Sequence, residues 1–364
     1  MCRNILFYIV PLLFIVFASC QRDDDEPPVN SNKIISRLYV STSDYEPGAA
    51  TQVNNIWVID SASNENSFAA LTSYGSTVRG GRTIHFSPLN SGALFQAGIN
   101  TPGLNDTAIH VLRINDAGVV SPSGRLANRK FDNVRGLFHT IVNSGINASA
   151  EFLLALNQGI GNQFGDLLVF QNPRNSAGFK VPNFRVPLNF VPWGMYIDEK
   201  DVLMVKTGNE GGLVVFNNMT NQFVEKTDSI LTITPSYTLT VTGSRNLRGM
   251  AYSKIKDIMV LTDYEGTGNT LGDGRILIFE NFSAHVSTKN IVPTRVISGV
   301  ATNLTRPMDV AIDPLENGKY IYVADSQAKL VLRFEITDEG NVTPNKALSL
   351  NGATPAGLSL DSRN

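Results

Sequence analysis

The stretch from Arg306 to Gly352 reads RPMDVAIDPLENGKYIYVADSQAKLVLRFEITDEGNVTPNKALSLNG. Polar turns divide it into four short segments rich in β-branched and aromatic residues, a pattern that predicts four consecutive strands. The segments are Met308–Ile312, Tyr320–Ala324, Leu330–Ile336 and Lys346–Leu350. A single four-stranded sheet cannot bury both of its faces, so the stretch predicts further copies of the same unit packed against it.

The start of the first strand recurs along the chain as an apolar residue or proline, a variable residue, and then Gly or Asp. Six copies lie 48 to 60 residues apart, and regular spacing on this scale is typical of repeat architectures. The copies are Val78-Arg79-Gly80, Val134-Arg135-Gly136, Pro192-Trp193-Gly194, Leu247-Arg248-Gly249, Pro307-Met308-Asp309 and Pro355-Ala356-Gly357.

The two ends of the repeat region are complementary. The first unit, residues 37–74, has segments for strands two, three and four but no first strand, whereas Ala356–Leu360 is a first strand with nothing after it. Joining them completes a sixth unit and closes a ring. The sequence therefore predicts an all-β fold, a six-bladed β-propeller over residues 34–361 in which the C-terminal strand joins the N-terminal blade.

This repeat pattern resembles the six-bladed NHL and TolB-like propellers. Asp325, within Val-Ala-Asp-Ser, stands where NHL-type repeats carry a regular aspartate. We expect its carboxylate to cap a turn, with Asp263 in the equivalent position of the preceding unit. The resemblance carries no function with it, because propellers serve in binding, scaffolding and hydrolysis alike.

Residues 1–19 have the features of a signal peptide. Arg3 precedes an apolar run from Ile5 to Ala18 that is too short to span a bilayer comfortably. The run leads into Phe17-Ala18-Ser19-Cys20, which resembles the lipobox of bacterial lipoproteins and implies acylation of Cys20. Residues 20–33 are acidic and predict a disordered tether; they resemble the surface-export signal of Bacteroidetes lipoproteins. We therefore expect an outer-membrane lipoprotein. The sequence leaves two locations open, the periplasmic face of that membrane and, as the resemblance implies, the cell surface.

Charge and cysteine content exclude several kinds of function. The chain has 30 Lys and Arg against 32 Asp and Glu, which argues against a nucleic-acid partner. Cys2 and Cys20 both precede the predicted propeller, so the propeller has no disulfide, cysteine metal site or thiol nucleophile. We expect a monomer that meets the membrane through its lipid anchor alone.

The variable residues of the six strand starts are predicted to ring one mouth of the central channel, because every first strand begins on that face. Two long loops rise on the same face and share a tripeptide, Asp44-Tyr45-Glu46 and Asp263-Tyr264-Glu265. Guanidinium groups suit carboxylates and phosphates, and aromatic rings offer flat faces for sugars. The predicted ligand-binding residues are Arg79, Arg135, Trp193, Arg248, Asp44, Tyr45, Asp263 and Tyr264.

The same residues also allow a structural interpretation. Arg248 would pair with Asp263 and Arg79 with Asp44, so that the ring is a belt of ion pairs between blades. Arg135 would then be the spare charge, because the loop of its own blade, residues 157–166, has a single carboxylate at its far end.

Catalytic motifs are scarce. The sequence has no Gly-x-Ser-x-Gly elbow and no phosphate-binding P-loop. We interpret the histidines as packing or surface residues, with His139 a candidate to face the channel from an inner strand. They are His85, His110, His139 and His285.

The sequence favours a non-catalytic module of the cell envelope that binds a small anion, a glycan or an envelope protein and needs no cofactor. One alternative is a metal-dependent hydrolase or lactonase. Six-bladed lactonases hold Ca²⁺ with Glu, Asn and Asp of inner strands, and here those strands offer Asp309 and little else. A further alternative is a rigid structural platform for a partner.

Overall fold

The computed structural model describes residues 35–48, 53–70, 72–89, 92–115, 117–144, 147–225 and 229–363. The predicted signal peptide, Cys20 and the acidic tether lie outside these ranges. Within them, no helix has both the length and the apolar character needed to cross a bilayer.

Short strands separated by turns make up the described chain, as the alternation of apolar and polar residues predicts. The strands are β1 (Ile35–Thr42), β2 (Ile56–Ile59), β3 (Thr72–Tyr74), β4 (Ile84–Ser87), β5 (Ala93–Ala97), β6 (Ala108–Ile114), β7 (Val120–Ala127), β8 (Asn133–Ser144), β9 (Asn147–Gln158), β10 (Asp166–Gln171), β11 (Ala177–Phe179), β12 (Phe184–Pro187), β13 (Pro192–Asp198), β14 (Asp201–Lys206), β15 (Gly212–Phe216), β16 (Tyr237–Val241), β17 (Met250–Ser253), β18 (Ile258–Tyr264), β19 (Gly274–Glu280), β20 (Lys289–Ile291), β21 (Arg295–Ser298), β22 (Pro307–Ile312), β23 (Tyr320–Asp325), β24 (Leu330–Glu335), β25 (Lys346–Ser349) and β26 (Pro355–Arg363). The helical segments are α1 (Met219–Glu225) and the 3₁₀ turns Ile160–Asn162, Pro173–Asn175, Phe282–Ala284 and Val300–Thr302.

The strands form six sheets, which are the blades of a propeller. From the innermost strand outward, blades one to six are β26-β1-β2-β3, β4-β5-β6-β7, β8-β9-β10-β12, β13-β14-β15-β16, β17-β18-β19-β21 and β22-β23-β24-β25. β11 and β20 leave their own blades and pair in parallel with β7 and β16 of the preceding blade. The predicted all-β, six-bladed propeller is confirmed.

The ring closes through the C-terminal strand. β26 pairs antiparallel with β1 from Ile35 opposite Arg363 to Thr42 opposite Pro355. Strand one of blade one therefore comes from the end of the chain and its other three strands from the beginning, as the sequence predicts.

Apolar side chains between the blades hold the ring together. Six buried clusters are present, one at each interface between neighbouring blades. The cluster between blades six and one contains Leu38 and Tyr322, both fully buried. Each blade thus buries apolar side chains against both of its neighbours.

Arg333 of β24 adds a polar link at that same closing interface. Its guanidinium group is fully buried and donates to the carbonyl oxygens of Ala62 and Asn64 in blade one, each at 2.7 Å. It also donates to Asn345 Oδ1 at 2.6 and 2.9 Å. The aromatic ring of Tyr320 lies 4.2 Å from the guanidinium carbon. The guanidinium group is therefore both hydrogen-bonded and stacked on an aromatic ring.

Glycine recurs at the strand starts because neighbouring blades approach most closely at the axis. A Cβ on Gly249 would lie 2.5 Å from Asp309 Cα of the next blade, and a Cβ on Gly357 would overlap the carbonyl oxygen of Arg82. The repeated Gly of the sequence pattern thus marks a steric requirement at the centre of the ring.

Candidate functional site

Six side chains ring one mouth of the central channel, each just before or at the start of an innermost strand. Hydrogen bonds identify the equivalent positions. The Arg248 N–H donates to the Thr262 carbonyl at 2.9 Å, and the Arg82 N–H makes the same bond to Ala97 at 2.8 Å. The ring consists of Arg82, Arg135, Trp193, Arg248, Met308 and Ala356.

The prediction that Arg79 belongs to this ring is wrong. In blade two the position filled elsewhere by Gly or Asp is Thr83, which accepts a hydrogen bond from the Ala97 N–H at 3.1 Å as Gly249 accepts one from Thr262 at 3.0 Å. Gly80 imitates the motif three residues too early. Arg79 therefore lies one turn before the mouth, and Arg82 takes its place.

Trp193 organises the arginines of the mouth. The guanidinium carbon of Arg135 lies 3.7 Å from the centre of its ring, and that of Arg248 lies 4.1 Å from it. The two arginines come from the blades on either side, and the indole is only 8% exposed. Its faces are thus covered by cations and are not free for a sugar, contrary to the sequence-based expectation.

Tyr264 supports this stack from the side. Its hydroxyl oxygen accepts a hydrogen bond from Arg248 Nη2 at 2.6 Å, and its ring lies 5.0 Å from the same guanidinium carbon. Arg248 also donates to Thr207 Oγ1. The guanidinium group is thereby oriented by neutral partners.

The predicted belt of ion pairs is wrong as well. Asp263 pairs with Arg275 rather than with Arg248, and Asp44 bonds Thr354 rather than Arg79. Arg135 donates to Gln158 Oε1 at 2.8 Å. Among the residues with described positions, none of the mouth arginines has a carboxylate within ion-pair distance.

The arginines repel one another. Burial, and then the neighbouring charges of Arg82 and Arg248, hold the pKa of Arg135 well below its usual range. Burial and the nearby Arg306 lower the pKa of Arg82. The Nε atoms of Arg82 and Arg248 are buried without an acceptor in the described structure. An anion at this mouth would relieve the repulsion and satisfy these donors.

A channel of about 270 Å³ runs beneath the mouth along the innermost strands. Aromatic rings follow one another around its wall. The centroids of His85 and Phe138 are 4.9 Å apart, those of Phe138 and Tyr196 5.9 Å, and those of Tyr196 and Tyr252 5.5 Å. Burial lowers the pKa of His85 to about 3, so this imidazole is neutral at physiological pH.

Among the described residues that line the channel, Asp309 is the one with a carboxylate side chain. It accepts hydrogen bonds from the N–H groups of Val310 at 2.9 Å and Leu358 at 2.8 Å. Burial nevertheless raises its pKa to about 7. With this pKa the group can take up or release a proton under ordinary conditions.

The described side chains of the channel do not offer the carboxylates that a resident Ca²⁺ usually takes. The part of the chain that the structure describes has no group of three or more His, Cys, Asp or Glu side chains arranged to hold a metal ion. Asp309 alone cannot replace the six to eight oxygen ligands that Ca²⁺ takes. The residues present therefore do not fit the calcium site of six-bladed lactonases.

Three of the predicted site residues lie in a different place. Asp44, Tyr45 and Arg79 line a separate cavity of about 470 Å³ between blades one and two. The Arg79 guanidinium carbon lies 5.9 Å from the Tyr45 ring centre. Asp44 accepts from the Thr354 N–H at 2.6 Å, so it fixes the entry to β26. The structure thus divides the predicted residues between two sites.

The prediction that Asp325 and Asp263 cap turns is confirmed. Asp325 is fully buried and accepts from the N–H groups of Thr305, Arg306, Gln327 and Ala328 at 2.7 to 3.1 Å. Asp263 does the same for Arg245 and Asn246. These carboxylates shape the loops that lead to the mouth.

His139 does not face the channel. Its ring is buried between blades two and three, where Nδ1 contacts Ser87 Oγ at 2.7 Å and Nε2 contacts Glu151 Oε1 at 2.8 Å. The histidine of the channel wall is His85. Sequence reasoning also missed Arg82, Arg306 and the contact of His110 with Asp106, although aligning Thr83 with the repeated Gly would have found Arg82.

No model of a known protein family matches the sequence, and no curated protein matches it. Among solved structures, the periplasmic gluconolactonase PpgL of Pseudomonas aeruginosa is similar with a TM-score of 0.50 and 14% identity, over 90% of this chain and 99% of that one. A Bacteroides uniformis protein provisionally named 6-phosphogluconolactonase has a TM-score of 0.50 and 9% identity, over 90% and 99%. A Bacteroides fragilis protein with the same provisional name has a TM-score of 0.46 and 11% identity, over 92% and 99%. At these identities the comparisons show the β-propeller fold alone.

Proposed function

We propose that the protein binds a small carboxylate of the sugar-acid class in the central channel, with the carboxylate at the arginine mouth. The observation that carries this proposal is the cluster of Arg82, Arg135 and Arg248, which has no carboxylate partner among the described residues. Buried guanidinium donors without acceptors are costly unless an anion binds there.

The dimensions support a carboxylate with a short polar body. The space among the mouth side chains is about 10 Å³, and the channel below it about 270 Å³. A space of this size holds about one water-sized group, so a single carboxylate oxygen would lie against the arginines while the rest of the ligand occupies the channel. There the hydroxyl group of Tyr196 is available to sugar hydroxyls. That of Tyr252 donates to Asp257 Oδ1 at 2.9 Å and can still accept a hydrogen bond.

Isothermal titration against gluconate, 6-phosphogluconate, citrate and inorganic phosphate tests the proposal. We expect gluconate to bind, and Arg135→Met to weaken that binding at least about tenfold, since a desolvated charge-assisted pair contributes about 1.5–3 kcal/mol. Arg79→Met is the matched control, because Arg79 lies in the other cavity. Equal losses in both variants, or no binding of any carboxylate, would contradict the proposal.

Lactone hydrolysis in the same channel is the second candidate, and it now has more support than a purely non-catalytic module. Two similar propellers carry gluconolactonase names, and Asp309 has a pKa of about 7 beside the arginine mouth. Asp309 would take a proton from the water that attacks the lactone carbonyl carbon, with Arg135 holding the developing oxyanion. The ring C–O bond then breaks, and the leaving ring oxygen takes that proton back from Asp309. Asp309→Asn should abolish any gluconolactone hydrolysis while leaving gluconate binding; unchanged turnover would exclude this role.

We also infer an envelope location from residues 1–33, with lipid attached at Cys20 and a monomeric propeller outside the membrane. The lipobox-like segment and the acidic residues after it support this. Labelling of cells with radioactive palmitate tests it. Label should appear in the wild-type chain and disappear in Cys20→Ala, and label retained by the variant would place the acyl group elsewhere.

A further inference from the structure

The cavity between blades one and two contains a hydroxyl group, an imidazole and a carboxylate, each in contact with the next. Thr77 Oγ1 lies 2.9 Å from His110 Nδ1, and His110 Nε2 lies 3.4 Å from both carboxylate oxygens of Asp106. All three residues line the same cavity of about 470 Å³. None of them belongs to the arginine mouth.

The distances suit transfer of the hydroxyl proton to the imidazole. A neutral imidazole that donates from Nε2 to Asp106 leaves its Nδ1 lone pair facing the Thr77 hydroxyl. This is the tautomer that can accept the hydroxyl proton, and the carboxylate then stabilises the imidazolium that forms. Such an arrangement is recognised by the roles and geometry of its groups rather than by their order in the chain.

The base and its carboxylate are rigidly held. Asp106 accepts from the Arg79 N–H at 2.8 Å and from the Ala108 N–H at 3.1 Å. Its side chain therefore keeps one orientation toward the imidazole. His110 lies in β6 and is 8% exposed, and Asp106 is 9% exposed, whereas Thr77 is exposed to the cavity. The hydroxyl is accessible while its partners are shielded from water.

Thr77 has a strained backbone. Its φ is +67°, a left-handed conformation that a β-branched residue rarely adopts. The neighbours impose it: the Ser76 N–H and hydroxyl both donate to Asn55 Oδ1, at 3.0 and 2.9 Å, and Asn55 Nδ2 donates to the Val78 carbonyl at 2.8 Å. Strain that the surroundings enforce in this way is concentrated at functional sites.

Two cations open into the same cavity. Arg125 lies directly opposite His110 in the sheet, and Arg79 follows Thr77 by two residues. Neither has an ion pair with a carboxylate in the described part of the chain. They can stabilise negative charge on a substrate carbonyl oxygen or hold a substrate carboxylate.

We propose that Thr77 and His110 are catalytic residues of an ester hydrolase site, with Asp106 as a positioning residue and small carboxylic esters as substrates. The Thr77 oxygen attacks the ester carbonyl carbon as its proton passes to His110 Nδ1. The bond to the leaving alkoxide breaks, and the alkoxide takes that proton. Water then attacks the acyl-threonine with His110 as base, which releases the acid and restores the hydroxyl.

Hydrolysis of p-nitrophenyl acetate by the purified full-length chain is the test. Thr77→Val and His110→Gln should each lower kcat/KM at least about 100-fold, the usual contribution of a nucleophile or general base. Thr77→Ser should retain activity. Thr107→Val is the matched control, because Thr107 lines the same cavity and its hydroxyl makes no hydrogen bond to a described residue; it should change nothing.

Labelling with a fluorophosphonate provides a readout that folding defects cannot imitate. Mass spectrometry should locate the adduct on Thr77 of the wild-type chain. Thr77→Gly should lose the adduct while unfolding at a higher temperature than Thr77→Ala, since glycine relieves the positive φ. Absence of both hydrolysis and labelling in the wild type, or activity that survives Thr77→Val, would overturn the proposal. Gluconate binding at the mouth is measured on the same variants and should be unaffected, so the two proposals fail separately.

Discussion

The guanidinium carbon of Arg135 lies 3.7 Å from the centre of the Trp193 ring, and Arg248 stacks on the same ring at 4.1 Å. An indole that is 8% exposed thereby holds two like charges close together near the axis of the propeller. The attraction of each cation to the ring offsets part of their repulsion. Preorganised cations of this kind lose little side-chain entropy when an anion binds.

Replacing Trp193 should therefore weaken anion binding although no charge is removed. Each cation–π contact contributes about 0.5–2 kcal/mol, so we expect Trp193→Leu to lower the affinity for gluconate about tenfold in calorimetric titration. Trp57→Leu is the control, because Trp57 packs in β2 between blades six and one, away from the mouth. A loss confined to Trp57→Leu would show that Trp193 does not order the arginines.

Replacing Arg333, which lies at the interface that closes the ring, should lower the free energy of unfolding strongly. Arg333→Met would leave the carbonyl oxygens of Ala62 and Asn64 without their buried donor. We expect the free energy of unfolding to fall by about 3 kcal/mol, since each unsatisfied buried group costs about 1–3 kcal/mol. Urea denaturation measures this, with the exposed Arg113→Met of β6 as control. Similar stability of the two variants would mean that apolar packing alone closes the ring.

Asp309 should make stability fall as pH rises. Burial raises the pKa of Asp309 from its ordinary value of 3.8 to about 7 in the folded state, so the folded protein binds this proton more tightly than the unfolded chain does. The resulting stabilisation is complete below pH 4 and is lost as pH rises through 7. It amounts to a few kcal/mol at most, since one pKa unit corresponds to about 1.4 kcal/mol.

Asp309→Asn removes that titration. The difference in melting temperature between variant and wild type should grow in favour of the variant from pH 5 to pH 8. Glu46→Gln, which changes an exposed carboxylate, should run parallel to the wild type over this range. A constant difference for Asp309→Asn would mean that Asp309 titrates alike in both states.

Gly357 should tolerate no side chain. A Cβ at this position would overlap the Arg82 carbonyl oxygen of the neighbouring blade, and backbone atoms cannot move aside as a flexible side chain can. We expect Gly357→Ala to cost about 1–3 kcal/mol in denaturant unfolding, the usual range for overpacking. Gly178→Ala in β11 is the matched control, because nothing lies within 4 Å of its Cβ. Equal effects would indicate that strand propensity, and not the close approach of the blades, is measured.

The fold could be predicted because the sequence consists of repeats. Six strand starts at regular intervals, an incomplete first unit and an unaccompanied last strand define a closed ring without any knowledge of side-chain contacts. The caps formed by Asp263 and Asp325 were also predictable, since an aspartate that ends a strand before a polar turn bonds local N–H groups. These features depend on residues close together in the sequence.

The site was predictable only in part. Arg135, Trp193 and Arg248 do meet at the mouth, because their positions follow from the repeat. Arg79 was placed wrongly because Gly80 imitates the repeated glycine, and only the hydrogen bond between Thr83 and Ala97 shows that Thr83 holds the equivalent position. The predicted ion pair between Arg248 and Asp263 was wrong because Arg275 is also within reach of Asp263. The direction of each side chain decides which arginine pairs with Asp263, and the sequence does not show that direction.

The sequence by itself determined the number of blades, the closure of the ring and the residue types available at its axis, since strand periodicity and repeat spacing are local properties of the chain. The tertiary structure alone decided that Trp193 is covered by cations, that the mouth arginines lack carboxylate partners among the described residues, and that Thr77, His110 and Asp106 share a cavity. Those facts depend on how neighbouring blades pack and on where each side chain points. The order of residues in the chain does not indicate that Thr77 Oγ1 and His110 Nδ1 lie 2.9 Å apart, because one lies in a loop and the other in a strand.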